Sequence, residues 1–334
     1  MCRRSPCSPS PRGARTWATS PSSAEARPTG PRRSGERRAM SAEPEFARWS
    51  RAVVDGFTVY QRPATASAGE GKDPVLFLNG CALAAAGWLP VIAEMPDRDV
   101  IALDRPGFAG TRWPGTLPDL AGELAAMERA IAGHSRVVIV AHSMAAFRAE
   151  AFARLRPERV AGIVLVDPSI EDYRFRGPAG RFSLATWMPV LGALVTREQI
   201  GEAASWLSHQ GFLRQSGSGR ALDPEAFKDP YTDPDTLRAA IAEWLSYRSQ
   251  AADLESLRGR TEPVRARTSA LLAPPLPSRS RSRILEAAFA DLVRHEIRDS
   301  RHLMMIDRPD MIVEAVDEVS SAPEAQRPIS ARPS

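Results

Sequence analysis

The sequence is poor in the residues that build disulfide frameworks and metal centres. It contains three Cys in 334 residues: Cys2 and Cys7 lie near the first residue, and Cys81 stands alone in the body. The body can therefore form no internal disulfide, and a reducing, cytoplasmic compartment is the simpler expectation. No His or Cys pair occurs at the spacing of metal ligands, so we expect no metal.

Long apolar runs and nucleotide-binding motifs are also missing. The longest apolar run in the middle of the chain, residues 187–195, is far below the ~20 residues that cross a bilayer, and it contains a proline. There is neither a G-x-G-x-x-G motif nor a Walker loop. We therefore expect no membrane, no nucleotide enzyme and no cofactor. We also expect no nucleic-acid partner, and nothing in the sequence indicates an oligomeric state.

Positive charge is concentrated in one segment. Residues 1–39 hold nine Arg and two Glu, a net +7, whereas the whole chain carries +4, so residues 40–334 carry a net −3. A segment of Arg, Ser, Pro, Gly and Ala cannot bury enough surface to fold, which predicts disorder. The alternatives are a transit peptide, which the prolines disfavour, an export signal, which the lack of an apolar region disfavours, and a nucleic-acid-binding arm. Translation starting at Met40 is a further interpretation.

The body alternates short apolar runs with helical patterns. Nearly continuous apolar runs predict strands buried on both faces at 75–80, 100–104, 137–141 and 162–166. Apolar residues spaced by three and four predict helices at 118–132, with Thr116 as a possible cap, and at 145–155. Residues 52–55 and 57–61 could add an antiparallel hairpin at the edge. The pattern predicts an α/β protein with a doubly wound, mostly parallel sheet.

Ser143 follows the third of these strands in the sequence Ala141-His-Ser-Met-Ala145. Ligands of such sheets bind at the carboxyl ends of the strands. A serine is lifted clear of a sharp strand-to-helix turn when the residues two before and two after it are small, as Ala141 and Ala145 are here. The usual G-x-S-x-G pattern is thus A-H-S-M-A, and the motif predicts a nucleophile. A serine that merely caps the following helix is the alternative.

The order of several motifs resembles the α/β-hydrolase superfamily over roughly residues 46–319. The motifs are Leu76-Phe-Leu-Asn-Gly80 with Trp88 after it, Asp104-Arg-Pro-Gly-Phe-Ala-Gly-Thr111, the Ser143 pentapeptide and Ser300-Arg-His-Leu-Met-Met-Ile-Asp-Arg-Pro-Asp310. The resemblance implies about eight strands and a helical cap after the sixth. It divides the chain into a tail (1–39), a first core part (40–169), a cap (170–258), a second core part with the catalytic His (259–321) and a tail (322–334). Residues 237–257 should form a long helix returning to the sheet.

The resemblance implies a catalytic histidine late in the chain, and His302 fits best. His302 lies in a loop after the last predicted strand and before a helix. His134 and His295 are predicted at the amino ends of strands, and His209 falls in the cap. His142 adjoins the nucleophile but should pack beneath the turn. The implied order of nucleophile, acid and base is that of the family.

The acid departs from the usual pattern. Most members of the superfamily place it after the seventh strand, here near residues 267–273, but no carboxylate occurs between Glu262 and Glu286. Some members, haloalkane dehalogenases among them, take the acid from the end of the sixth strand, where this chain has Asp167. We therefore expect Asp167 to orient His302. Asp299 and a dyad without an acid are the alternatives.

The resemblance also implies an oxyanion hole formed by the backbone N–H groups of Met144 and Cys81, with Ala82 as the second choice after Cys81. Apolar residues of the predicted cap favour an uncharged, partly apolar substrate. The predicted function is hydrolysis of a small to medium carboxylic ester, or a related thioester, lactone or amide, through an acyl-enzyme on Ser143. The alternative is a non-catalytic or weakly catalytic protein that binds a small ligand on the same scaffold.

Overall fold

A computed structural model of the chain describes residues 49–64, 71–171, 211, 214–217 and 233–321. The predicted terminal segments 1–39 and 322–334 lie outside the described residues. Most of the predicted cap does too, including its apolar residues Trp187, Leu191, Leu194, Ile200, Trp206, Leu207, Phe212 and Leu213 and its histidine, His209. The disorder of the tails and the domain boundaries remain predictions.

Eight strands form one sheet in the order β1-β2-β4-β3-β5-β6-β7-β8. Strands β1 and β2 are antiparallel to each other, β2 is antiparallel to β4, and every other neighbouring pair is parallel. The strands are β1 (Ser50–Val54), β2 (Phe57–Arg62), β3 (Val75–Leu78), β4 (Val100–Asp104), β5 (Val137–His142), β6 (Val160–Val166), β7 (Thr268–Leu272) and β8 (Leu292–Glu296). The predicted α/β class and mostly parallel sheet are confirmed.

The helices with described bounds are α1 (Leu89–Ala93), α2 (Leu120–Ala130), α3 (Ala145–Leu155), α4 (Pro234–Arg258), α5 (Arg279–Ala288), α6 (Met304–Asp307) and α7 (Pro309–Ser320). Short 3-10 helices lie at Ala85–Trp88 and Pro157–Arg159. The long helix predicted before the seventh strand is α4. Within the described part of the chain, no helix is long and apolar enough to cross a membrane.

Alternate residues of the parallel strands face opposite layers of helices. On one face, Phe77 and Val140 belong to a core cluster with side chains of α1 and α7. On the other face, Leu76 and Ile139 belong to a cluster with side chains of α2, α3 and α5. The runs read as continuous in the sequence because both faces of these strands are buried. The two clusters hold the carboxyl ends of the strands in a fixed arrangement.

The edge hairpin follows from its turn. Asp55 and Gly56 connect β1 to β2, and both have positive φ values, of 51° and 82°. A two-residue turn with φ above zero at both positions matches the twist of the flanking strands and favours Asp-Gly. The hairpin predicted at the edge is confirmed.

Two local predictions are wrong. Helix α2 is capped by Asp119 rather than Thr116: the Asp119 carboxylate accepts a hydrogen bond from Gly122 N at 2.7 Å. A carboxylate directly before the helix satisfies a free N–H and meets the positive end of the helix dipole. The last strand spans Leu292–Glu296, so His295 does not open it. His295 is buried, and its Nε2 lies 2.9 Å from Glu318 Oε2, away from the predicted site.

Candidate active site

Ser143 occupies a strained turn between β5 and α3. Its φ is 52°, in the left-handed region that side chains other than glycine rarely adopt. Such strain persists where the surroundings fix the backbone, and it is common at active sites. Ala141 and Ala145 are fully buried on either side of the turn. Alanine at both positions is therefore small enough for the turn that the motif predicted.

Backbone hydrogen bonds fix this turn to its neighbours. Ser143 N donates to Val166 O at 3.0 Å, and Ser143 O accepts from Ser169 N at 3.0 Å. The loop after β3 passes directly over the turn, since a Cβ placed on Gly80 would lie 3.1 Å from Ser143 Cβ. The predicted nucleophile is thus held between the end of β6 and the loop after β3.

Asp167 and His302 meet at the same edge of the sheet. Asp167 Oδ2 lies 2.6 Å from His302 Nδ1, and Asp167 Oδ1 accepts from Ala273 N at 3.2 Å. The carboxylate therefore holds the proton of His302 on Nδ1 and leaves Nε2 with a lone pair. The contact predicted between Asp167 and His302 is present. The alternative acid, Asp299, is paired with Arg308 instead.

A short segment between β6 and β7 supports the loop that carries His302. Leu303 N donates to Gln215 O at 2.9 Å. Asp307 accepts hydrogen bonds from Ser216 Oγ at 2.6 Å and from Arg301 N at 2.9 Å. These contacts hold the chain on both sides of His302.

His142 does more than fill space beneath the turn. Its ring centroid is 4.5 Å from that of His302, and its Nε2 lies 2.9 Å from the His302 carbonyl oxygen. A carbonyl oxygen only accepts, so Nε2 carries the hydrogen; Nδ1 is buried without a partner among the described residues. Burial, with a smaller contribution from His302, lowers the pKa of His142 well below its ordinary value. A neutral imidazole thus supports His302 from below, a contact that the sequence did not indicate.

Of the predicted oxyanion donors, Met144 directly follows Ser143, and Cys81 directly follows Gly80, which closely approaches Ser143. Met144 N is at the amino end of α3, and Cys81 N is in the loop beside Ser143. Within the described residues, neither N–H group donates a hydrogen bond. The N–H of Ala82, the second choice, is already occupied, because it donates to Glu243 Oε2 at 2.7 Å. Burial, followed by the charge of Glu243, raises the pKa of the Cys81 thiol to about 12, so the thiol stays protonated.

A buried polar network holds the loop after β3. Asp104 Oδ1 accepts from Ala85 N at 2.7 Å and from Asn79 Nδ2 at 3.2 Å, while Trp88 Nε1 donates to Asn79 Oδ1 at 2.8 Å. Burial raises the pKa of Asp104 to about 6. Arg148 Nη2 donates to Asn79 O at 3.0 Å. The motifs that carried the resemblance are therefore the residues that shape the loop beside Ser143.

A cavity of about 200 Å³ is lined in part by Arg105, Trp113 and Glu243. Neither Ser143 nor His302 lines this cavity, so the cavity is separate from the predicted catalytic residues. Among the described residues, no group of three His, Cys, Asp or Glu side chains could hold a metal ion.

Comparison with known proteins agrees with this fold. Cfl2 from Burkholderia cenocepacia matches with a TM-score of 0.63 and 18% identity over 82% of this chain and 95% of its own. The epoxide hydrolase CorEH matches with a TM-score of 0.62 and 15% identity over 81% and 97%. A candidate lipase from Acinetobacter baumannii matches with a TM-score of 0.57 and 16% identity over 83% and 92%.

At these identities the solved structures share the fold alone. No curated protein sequence matches the chain. A sequence profile described as the alpha/beta hydrolase family matches residues 75–315, well over half of the chain. The chain therefore belongs to the alpha/beta hydrolase family.

Proposed function

We propose that the protein is a serine hydrolase that cleaves a small to medium, partly apolar carboxylic ester, or a related thioester, lactone or amide. The observation that carries the proposal is the 2.6 Å contact between Asp167 and His302, at the sheet edge where Ser143 occupies a strained turn. A nucleophile, a base and a group that orients the base are the three parts that acyl transfer requires.

Each part has a defined task in the proposed reaction. His302 Nε2 takes the proton of Ser143 Oγ, which attacks the substrate carbonyl, while Asp167 stabilises the imidazolium that forms. The N–H groups of Cys81 and Met144 bind the oxyanion. The tetrahedral intermediate then expels the alcohol, which takes the proton from His302. Water, deprotonated by the same imidazole, releases the acid from Ser143 and completes the cycle.

The chemistry of serine favours an ester over an epoxide, although CorEH is an epoxide hydrolase. Attack of Ser143 Oγ on an epoxide carbon would give an alkyl ether, which has no carbonyl for water to attack. That adduct would not be hydrolysed, whereas an acyl-enzyme offers a carbonyl to water in the second step. The residue at the turn thus supports acyl transfer.

Apolar side chains adjoin both oxyanion donors. Met144 and Phe147 belong to a buried cluster with residues of α4, and Cys81 and Tyr247 pack against it. The Phe147 and Tyr247 rings meet edge to face, with centroids 5.2 Å apart. Such a wall beside the nucleophile supports a partly apolar acyl or alcohol group.

The alternative, a protein that binds a small ligand without turning it over, rested on the missing acid after β7. Asp167 provides a carboxylate at His302 from the end of β6. The missing carboxylate after β7 therefore no longer favours the ligand-binding alternative, and the hydrolase is the better supported function.

Reaction with a fluorophosphonate probe tests the proposal, together with turnover of p-nitrophenyl esters of increasing chain length. Ser143→Ala should abolish labelling and hydrolysis while the melting temperature stays near that of the wild type, because a hydroxyl is replaced by hydrogen. Ser135→Ala changes an exposed serine before β5 and serves as the control. A wild type that neither reacts with the probe nor hydrolyses any ester would refute the proposal, as would full activity in Ser143→Ala.

A further inference from the structure

A buried ion pair joins the long helix α4 to the chain after β4. Arg105 and Glu243 are 4% and 3% exposed. Arg105 Nη2 donates to Glu243 Oε2 at 2.8 Å, and Arg105 Nε donates to Glu243 Oε1 in a second contact. Burying two charges is costly, and stability alone is a weak reason for such a pair.

Both partners also bind the loop after β3. Arg105 Nη1 donates to Asn79 O at 2.8 Å, and Arg105 Nη2 donates to Gly80 O at 2.7 Å. Glu243 Oε2 accepts from Ala82 N at 2.7 Å. One ion pair therefore fixes the carbonyl groups of Asn79 and Gly80 and the N–H group of Ala82.

These contacts determine where the Cys81 N–H group points. In a trans peptide the carbonyl and the N–H point in opposite directions. Because Arg105 binds the Gly80 carbonyl, the N–H of Cys81 points away from Arg105. Glu243 binds the next N–H, that of Ala82, where the backbone has a positive φ of 60°. Glu243 thus occupies the Ala82 N–H, whereas the Cys81 N–H, in the loop next to Ser143, makes no hydrogen bond among the described residues and is free to bind a ligand.

We propose that the Arg105–Glu243 pair is a positioning device for the oxyanion hole, through which α4 sets the direction of the Cys81 N–H group. Neither side chain touches the substrate; both act through the backbone of residues 79–82. The inference rests on the proposed function, since it assumes that Cys81 N–H binds an oxyanion. It adds two residues, one of them on the helix that ends the predicted cap, to those on which turnover depends.

A double substitution separates positioning from a purely structural role. Arg105→Met with Glu243→Met replaces the pair by apolar side chains of similar length, so no unpaired charge remains buried. For the folded protein we expect kcat on a p-nitrophenyl ester to fall by about 10²-fold, as when one oxyanion donor is lost, while KM changes less than about threefold. The rate of labelling by the fluorophosphonate should fall in parallel, because its oxygen occupies the same hole.

Arg98→Met is the matched control. Arg98 is also a buried arginine bound to a carboxylate and to a backbone carbonyl, those of Asp317 and Asp73, but it lies at the amino edge of the sheet. Its loss should lower the melting temperature and leave kcat unchanged well below that temperature. An equal fall of kcat in Arg98→Met would mean that lost stability alone explains the effect, and would overturn the proposal.

Glu243→Gln provides the test if the double variant does not fold. An amide has one acceptor oxygen, so it cannot serve both Arg105 Nε and Ala82 N as the carboxylate does. We expect about a tenfold lower kcat with KM within about threefold. Unchanged kcat in either folded variant, with a wild type that reacts with the probe, overturns the positioning role alone. A wild type that does not react overturns the proposed function instead.

Discussion

Replacing Asp167 by Asn tests the least ordinary part of the site. Both carboxylate oxygens accept hydrogen bonds, Oδ1 from Ala273 N at 3.2 Å and Oδ2 from His302 Nδ1 at 2.6 Å. An amide can accept at one of these positions and must present its NH₂ group to the other. If the NH₂ group faces His302, Nδ1 becomes the acceptor and the proton moves to Nε2, the nitrogen that should take the proton from Ser143.

The expected loss is large. Asp167→Asn should lower kcat by about 10³–10⁴-fold with KM nearly unchanged, because the tautomer is wrong and the imidazolium loses its counter-charge. The loss corresponds to about 4–5.5 kcal/mol of transition-state stabilisation. Steady-state kinetics on a p-nitrophenyl ester measures it, with circular dichroism to confirm the fold.

Asp299→Asn is the matched control, because Asp299 is largely exposed and paired with Arg308. It should change kcat by less than about threefold. The reasoning fails if Asp167→Asn retains more than about a tenth of the wild-type kcat, or if Asp299→Asn costs as much as Asp167→Asn.

Two further predictions concern the loop and the histidine beneath the site. A Cβ at Gly80 would meet His142 Nδ1 at 2.5 Å and Ser143 Cβ at 3.1 Å. Gly80→Ala should therefore lower the free energy of unfolding by about 1–3 kcal/mol and lower kcat. Gly87 has open space around it, so Gly87→Ala should lower neither. Equal effects of the two substitutions would contradict the reasoning. Because the pKa of His142 is depressed in the folded state, unfolding takes up a proton below about pH 6.5, and stability falls as the pH falls. His142→Gln should lessen that fall in denaturant titrations at pH 7 and 5, and equal falls in both proteins would refute the reasoning.

The fold was predictable because local patterns fix most of it. Continuous apolar runs indicated β3 to β6, and residues 52–55 and 57–61 indicated the edge hairpin. Thr116 was predicted as the cap of α2 because a hydroxyl and a carboxylate can both accept a hydrogen bond from the amino terminus of a helix. The spacing of apolar residues does not fix the residue at which the helix begins, so it did not distinguish Thr116 from Asp119. The start of β8 was misplaced because its residues are only half-buried and form no clear apolar run.

The site was predictable to the extent that it lies at strand ends. Ser143 and Asp167 each follow a strand, and because no carboxylate follows β7, the resemblance implied an acid at the end of β6. The contact of Arg105 with Glu243 spans 138 positions and has no local signature. The hydrogen bond from His142 to the His302 carbonyl likewise depends on the tertiary fold. Residues that position others through the backbone therefore appear only in the structure.

The register of β5 and β6 has a consequence for protein engineering. His142 pairs with Val166, and these are the last residues of β5 and β6. Ser143 and Asp167 are therefore the first residues after two adjacent strands, and both have positive φ. The proposed nucleophile and the proposed acid thus lie side by side. Beyond Ala273, the exposed turn at residues 274–276 contributes no group to the proposed chemistry. That turn is where a peptide tag or a grafted recognition loop should be accommodated next to the catalytic edge without altering the reaction.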